Sequence, residues 1–390
     1  MSHPAAILKY HDEHRHATWL ELFFDLVFVA AIGVITHHLA HVHDGHIPTK
    51  DFILYPVEFV PLWWIWATHT LYANRFDTDS KGHRLASLLI MFLIVTMSGF
   101  LGASLSSGAI AFIGFYVAVR FVLALMFLSS RKNLHGARDD ATSMALLIGF
   151  GIAVSGLSLL LSGTVQQIVF LGGIAAEMVG AVILGTRKTN VPVHREHLVE
   201  RIGLLSIILL GESVISMVAG LRGIEWTASN LTAAITGFIM IVSIWWIYFD
   251  SFNTLEHAKR ITHGYALLYS HVLFCLGLGA LASLIGHVVL DDVGASDYRL
   301  LAIGGLTLFY FGKQIAYWHA FPPFRPNLVI NSVVCIGITV GSSFLPSPVH
   351  ALIGMTAGLL FYVFSNFRWT LTKDVSAYLA SHEATSADTQ

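Results

Sequence analysis

The sequence predicts an all-α, polytopic transmembrane helix bundle of about twelve spans, and three observations carry that prediction. Hydrophobic residues make up 55% of the chain and charged residues only 12%, about half the charged share of a soluble domain. A soluble protein of 390 residues with so few charges would lack the polar surface to cover its core. The apolar residues also fall into stretches of about 20, the length a helix needs to cross a bilayer. Finally, the basic residues gather in alternate connections between those stretches, as expected of a chain that threads a membrane repeatedly.

The spans are expected near 19–40, 52–73, 85–106, 109–129, 141–162, 165–186, 198–220, 229–250, 264–290, 300–320, 327–345 and 349–370. The first begins at Trp19 and holds Glu21 and Asp25, four residues apart. On a helix these two carboxylates share a face, one turn apart. The second contains Pro56 and Pro61, which predict a kinked or broken helix of the kind that exposes backbone groups to a substrate. Its end carries Trp63, Trp64 and Trp66, then a polar run from Thr68 to Asp79 in which Asn74, Arg75 and Asp77 can cap the helix or pair with Glu21 or Glu200. The seventh starts with the adjoining pair Glu200 and Arg201, whose side chains diverge. Glu212 follows twelve residues on, about 18 Å deeper at helical rise, flanked by Gly211 and Ser213. The eleventh is bracketed tightly by Pro326 and Pro346.

Seventeen basic residues, among them Lys9, Arg15, Arg75, Arg131, Lys132, Arg187, Lys188, Lys259, Arg260, Arg368 and Lys373, fall on the side that holds both termini. Only Lys50, Arg222 and Arg299 fall on the other. That asymmetry predicts cytoplasmic termini in the inner membrane. The polar stretch Met1–Ala17 precedes no cleavage pattern, so the first span is expected to be retained. The expected organisation is a cytoplasmic segment 1–18, a six-span half 19–186, a second half 187–370 and a cytoplasmic tail 371–390. Glu21 matches Glu200, Trp63-Trp64-Ile-Trp66 matches Trp245-Trp246-Ile-Tyr248, and His83 matches His263, each about 180 residues apart. Arg120 and Lys313 sit at similar depths in the fourth and tenth spans. These matches predict a parallel repeat of two halves around a central site.

Other classes are excluded or reduced. The near-neutral balance of 22 basic against 24 acidic residues offers nothing to a nucleic acid. Two cysteines, Cys275 and Cys335, build neither a disulfide framework nor a thiolate metal site. No phosphate loop or nucleophile motif is present, so no catalytic residue and no cofactor is assigned. His37, His38, His41, His43 and His46 cluster with Asp44 at the outer end of span one. His37 and His41 would share a helical face at zinc spacing, but solvated loop histidines or a pH sensor fit better, and no metal is assigned.

Four motif groups resemble the bacterial low temperature requirement protein A family. They are Glu21-Leu-Phe-Phe-Asp25-Leu-Val-Phe-Val, Tyr72-Ala-Asn-Arg75-Phe-Asp77-Thr-Asp79, Glu200-Arg-Ile-Gly-Leu-Leu with Leu-Gly211-Glu212-Ser213, and Trp245-Trp246-Ile-Tyr248-Phe-Asp250. The resemblance runs through both halves. It implies a multi-pass membrane protein of a family named for growth in the cold, and it implies no particular substrate.

Chemistry is therefore sought among the ionisable residues within the spans, because such groups face a bundle interior, find a partner or take up a proton. Asp25, Glu58 and Glu212 are expected as proton or cation groups. Arg120 and Lys313 are expected as their counter-ions or an anion site, with Asp25 or Glu58 the favoured partners of Arg120. Glu21, Arg75, Asp77, Glu200 and Arg201 are expected to form a cytoplasmic gate network. The carboxylates in spans, Glu177 included, outnumber the two deep cations, which points to a proton- or ion-coupled transporter of an unspecified small molecule. The alternatives are an intramembrane enzyme acting on a lipid or quinone, or a sensor without a transported substrate. The bilayer is the one partner expected; oligomeric state is left open.

Overall fold

A computed structural model describes residues 15–131, 137–185, 190–256 and 264–365. Lys9, Lys132, Arg187, Lys188, Lys259, Arg260, His263, Arg368, Lys373 and the 371–390 tail lie outside the described residues. Among the described residues the fold is entirely helical, its one β feature an isolated bridge between His43 and His46. That is what hydrocarbon demands, since a helix satisfies its backbone groups internally.

Among the described residues twelve helices follow one another in the expected order. They are α1 (Trp19–His38), α2 (Thr49–Phe76), α3 (Lys81–Ser98), α4 (Ala109–Ser130), α5 (Ala137–Ser158), α6 (Gly163–Gly185), α7 (Arg195–Gly220), α8 (Ala228–Glu256), α9 (Tyr265–Leu290), α10 (Ala295–Ala320), α11 (Arg325–Ser343) and α12 (Pro348–Ser365). A short 3₁₀ turn at Pro322–Phe324 leads into α11. Among the described residues ten candidate spans meet both length and apolarity requirements; α2 and α10 match them in length, at 28 and 26 residues, but are more polar. These two helices carry much of the chemistry below.

Of the kinked or broken helix expected at Pro56 and Pro61, the break is not found. Both prolines lie inside a continuous α2, and the break is unnecessary because neighbouring groups in a packed bundle absorb the lost bond.

The chain divides into two compact units. The first comprises Met1–His38, Thr49–Ile208 and Thr262–Leu268; the second comprises Leu39–Pro48, Leu209–Ile261 and Tyr269–Gln390. In the first unit α2 is the central helix, packed against α1, α4 and α6. Every residue from Pro61 to Phe76 is buried, the pattern of a helix with protein on all sides. In the second unit that place belongs to α9, 89% of whose apolar window is buried. It approaches α10 closely: a Cβ at Gly277 would stand 2.6 Å from the Phe309 nitrogen, so only glycine admits the neighbouring backbone.

Candidate functional site

Glu21 and Asp25 project from α1 into the first unit, 1% and 0% exposed. Both meet Arg201 of α7, itself fully buried. Arg201 Nη2 donates to Asp25 Oδ1 at 2.6 Å, and Nη1 lies 3.0 Å from Glu21 Oε1. Trp66 of α2 adds a 2.7 Å hydrogen bond from Nε1 to the same Asp25 oxygen. The one-turn spacing of the carboxylates is what allows a single guanidinium fork to reach both. Asp25 Oδ2 and Arg201 Nε have no hydrogen-bond partner among the described residues.

Glu21 also has a structural task. Its Oε2 accepts from Thr18 N at 2.8 Å and Thr18 Oγ1 at 2.9 Å, while Thr18 Oγ1 accepts from Glu21 N. This is a capping box that starts α1. The Thr18-x-x-Glu21 signature was present in the sequence and is a second reason for a carboxylate there.

Sequence reasoning missed His197 and Arg15 as members of this network. His197 precedes Arg201 by one helical turn, so a shared face was the available signal. Its Nε2 lies 3.2 Å from Glu21 Oε1. Its Nδ1 faces the Asn74 amide nitrogen at 3.0 Å. The Asn74 amide is held in register by the His194 backbone, donating to its carbonyl and accepting from its N–H, both at 2.8 Å. Asn74 therefore donates to Nδ1, which assigns the ring proton to Nε2 and makes His197 a donor to Glu21. Arg15 reaches across to cap α2, donating to the carbonyls of Ala73 and Asn74 at 2.6 Å each. It stands 3.9 Å from both Glu21 and Asp77.

The remaining expected gate residues are distributed differently. Arg75 pairs with neither Glu21 nor Glu200. It donates to Asp140 at 2.9 Å and to the Val191 carbonyl at 2.7 Å. Asp140 is the better-placed partner because its carboxylate also accepts from Asn190 N and Val191 N. Asp77 accepts from Asp79 N at 2.7 Å and lies 3.6 Å from His83. Glu200 points away from Arg201, accepting from Ala17 N at 3.1 Å beside the exposed His16.

Arg120 of α4 is fully buried, but Asp25 and Glu58 are not its partners. Its counter-ion is Glu177 of α6, the carboxylate at matching depth once α4, α5 and α6 pack side by side. Arg120 also donates to Thr68 Oγ1 at 2.9 Å and lies over the rings of Trp64 and Tyr116. Gly151 of α5 backs onto the Glu177 carboxylate so closely that a Cβ there would collide with it. Glu58 instead closes the turn between α3 and α4, accepting from Gly102 N at 2.7 Å and Ser104 Oγ at 2.5 Å, with His38 Nδ1 at 3.5 Å. Gly102 has φ +79° and sits against the His38 ring, so both its backbone and the space admit only glycine.

In the second unit, Lys313 of α10 is 5% exposed. It donates to Tyr362 Oη at 2.6 Å and lies 4.7 Å from the ring centres of Tyr317 and Tyr362. No carboxylate among the described residues is within ion-pair distance of it. Glu212 is half-buried and makes no ion pair or hydrogen bond with a described residue. A Cβ at Gly211 would meet nothing within 4 Å, so that glycine does not serve close packing there.

The histidine cluster is rearranged too. Because α1 ends at His38, His37 and His41 do not share a helical face. His46 Nδ1 lies 3.2 Å from Asp297, which also accepts from Ile47 N at 2.8 Å. No metal-competent group of three ligands occurs among the described residues.

Long apolar helices around buried ion pairs define a polytopic helical membrane protein. The model of the bacterial low temperature requirement A protein (LtrA) family matches residues 16–363, and the chain belongs to that family. It is 23% identical over 340 residues to an uncharacterized protein of Rhizobium meliloti (strain 1021), covering 80% of each chain. No solved structure matches.

Proposed function

We propose that this LtrA-family chain is a proton- or ion-coupled transporter of the inner membrane, and that Asp25, Arg201 and Glu21 form its coupling site. The observation that carries the reading is one buried guanidinium shared by two carboxylates, with one Asp25 oxygen left over. Arginine keeps its proton under all ordinary conditions. Exchange at this site therefore falls to the carboxylates. A proton or small cation arriving at Asp25 Oδ2 neutralises Asp25 and leaves Arg201 with Glu21, so the site has two electrically distinct states. Such a pair of states is what a carrier needs to couple an ion to a conformational equilibrium. Glu212, half-buried and unpartnered among the described residues, is a second exchange group in this reading. The basic-residue asymmetry supports cytoplasmic termini; reporter fusions at residue 135 or the C-terminus test that orientation.

The test is ion flux into liposomes containing the purified protein, read with entrapped pyranine for protons and a sodium-sensitive dye for Na⁺. The wild type should pass one of these ions under an imposed potential. Asp25→Asn should abolish that flux while the protein stays folded, because Arg201 retains Glu21. Flux of neither ion in the wild type, or wild-type flux through Asp25→Asn, would remove the proposal.

A further inference from the structure

We propose that the coupling ion is a proton, and that it reaches Asp25 from a groove between α3 and α4 by way of His83, Ser87 and His69. This reading rests on the coupling site proposed above and supplies its ion and the point of entry. The groove lies in the first unit and has a volume of about 590 Å³. Thr78, Ser80 and Gly82 form its polar end, at the connection from α2 to α3, and the exposed Leu85, Leu89 and Leu125 form its apolar end. His83 and Tyr72 make its inner wall, and both are buried. Histidine is the side chain suited to exchange protons near neutral pH.

From His83 a line of buried groups leads inward. Ser87 lies one turn further along α3 on the same face, and its Oγ is 3.0 Å from His69 Nε2. The His69 and His83 rings stack with centres 6.3 Å apart. His69 is fixed in turn to α1. Its ring lies flat on Phe24, centres 3.8 Å apart, and Trp66, one turn before it on α2, donates to Asp25. Two adjacent α1 residues therefore grip two α2 residues one turn apart, which brings His69 level with Asp25 to within a turn. His69 Nδ1 and Asp25 Oδ2 are both buried and have no hydrogen-bond partner among the described residues. Asp77, 3.6 Å away, and the Tyr72 ring face His83; the charges of Arg201 and Glu21 act on His69.

These groups make a relay. With Ser87 donating to Nε2, the His69 ring proton sits on Nδ1. Water in the groove gives a proton to His83. His83 gives one to Ser87 as the hydroxyl proton passes to His69 Nε2, and the Nδ1 proton passes to Asp25 Oδ2. Each relay group gives one proton for each it takes, His69 ends as the other tautomer, and Asp25 gains one proton. Sodium has no such route, because a hard cation takes oxygen ligands and two imidazoles with one hydroxyl replace little of its hydration.

The experiment is the liposome assay with pyranine and the sodium dye, extended to the groove. The wild type should pass protons and no sodium. His83→Gln and His69→Gln keep a hydrogen-bonding side chain but remove the imidazole. Gly82→Cys probes the groove without touching either histidine: a Cβ there meets only Ser80 Oγ, at 3.9 Å. Cys275 and Cys335 are buried, so a biotin maleimide attached before reconstitution marks residue 82. Each histidine substitution, and labelling of Gly82→Cys relative to the same variant unlabelled, should lower proton flux about tenfold or more. Sodium flux through the wild type overturns this inference and leaves the coupling site standing, whereas flux of neither ion removes both. Undiminished proton flux through either histidine variant, or through labelled Gly82→Cys, overturns the route.

Discussion

Arg120 and Lys313 are both buried cations inside helices, and both lie against a pair of aromatic rings. Arg120 has a carboxylate, Glu177; Lys313 has a tyrosine hydroxyl instead. The difference reflects what surrounds each. The first unit is built around α2, whose buried surface includes Glu58, Thr68, His69, Asn74 and Arg75. The second is built around α9, which packs its neighbour through glycine. Arg120 finds its carboxylate on α6 and a hydroxyl on α2, whereas among the described residues Lys313 meets a tyrosine hydroxyl and two rings.

The comparison is broken most directly by removing each cation. Arg120→Ala strands Glu177 in a dry interior and should cost about 3–5 kcal/mol, seen as a large drop in thermal midpoint of the purified protein. Adding Glu177→Gln should restore part of that loss, while adding Asp25→Asn or Glu58→Gln should restore none. Lys313→Met strands no carboxylate and should stay within about 1 kcal/mol of wild type.

The tryptophans offer a second contrast. Trp64 is 1% exposed, whereas its sequence counterpart Trp246 is 43% exposed. Trp64→Ala should cost about 3–5 kcal/mol, and Trp246→Ala about 0.5 kcal/mol or less. Equal losses in the two variants would show that the apparent sequence match does extend to environment.

Smallest is the effect at two glycines. Gly151→Ala pushes a methyl group into the Glu177 carboxylate and should cost about 1–3 kcal/mol. Gly211→Ala meets open space and should be neutral or stabilise by up to about 1 kcal/mol through helix propensity. Thermal midpoints of the two variants check both.

Helices were legible because span length and apolarity are local properties: α1, expected at 19–40, runs Trp19–His38, and α9, expected at 264–290, runs Tyr265–Leu290. The shared face of Glu21 and Asp25 was legible for the same reason. Partnerships were not. Arg120 meets a carboxylate 57 residues away and Arg75 one 65 residues away, and choosing among several carboxylates at similar depth requires the lateral order of helices. His197 was recoverable from its one-turn spacing to Arg201, but only once Arg201 was known to face inward. The burial of the Trp motifs was not legible either, because an interfacial anchor and a packed core draw on the same residue type.

The contact of His46 and Ile47 with Asp297 joins residues about 250 positions apart, 251 in the case of His46. At a synthesis rate of about 5–20 residues per second, the acceptor leaves the ribosome roughly 10–50 s after the groups it serves. For that interval the connection between α1 and α2 exists as an unfinished turn beside helices already made. Gly45, whose carbonyl later receives Gly294 N at 2.7 Å, waits equally long. Chains halted before Asp297 should carry an accessible protease site at residues 39–48, making this turn a clock for the maturation of the second unit.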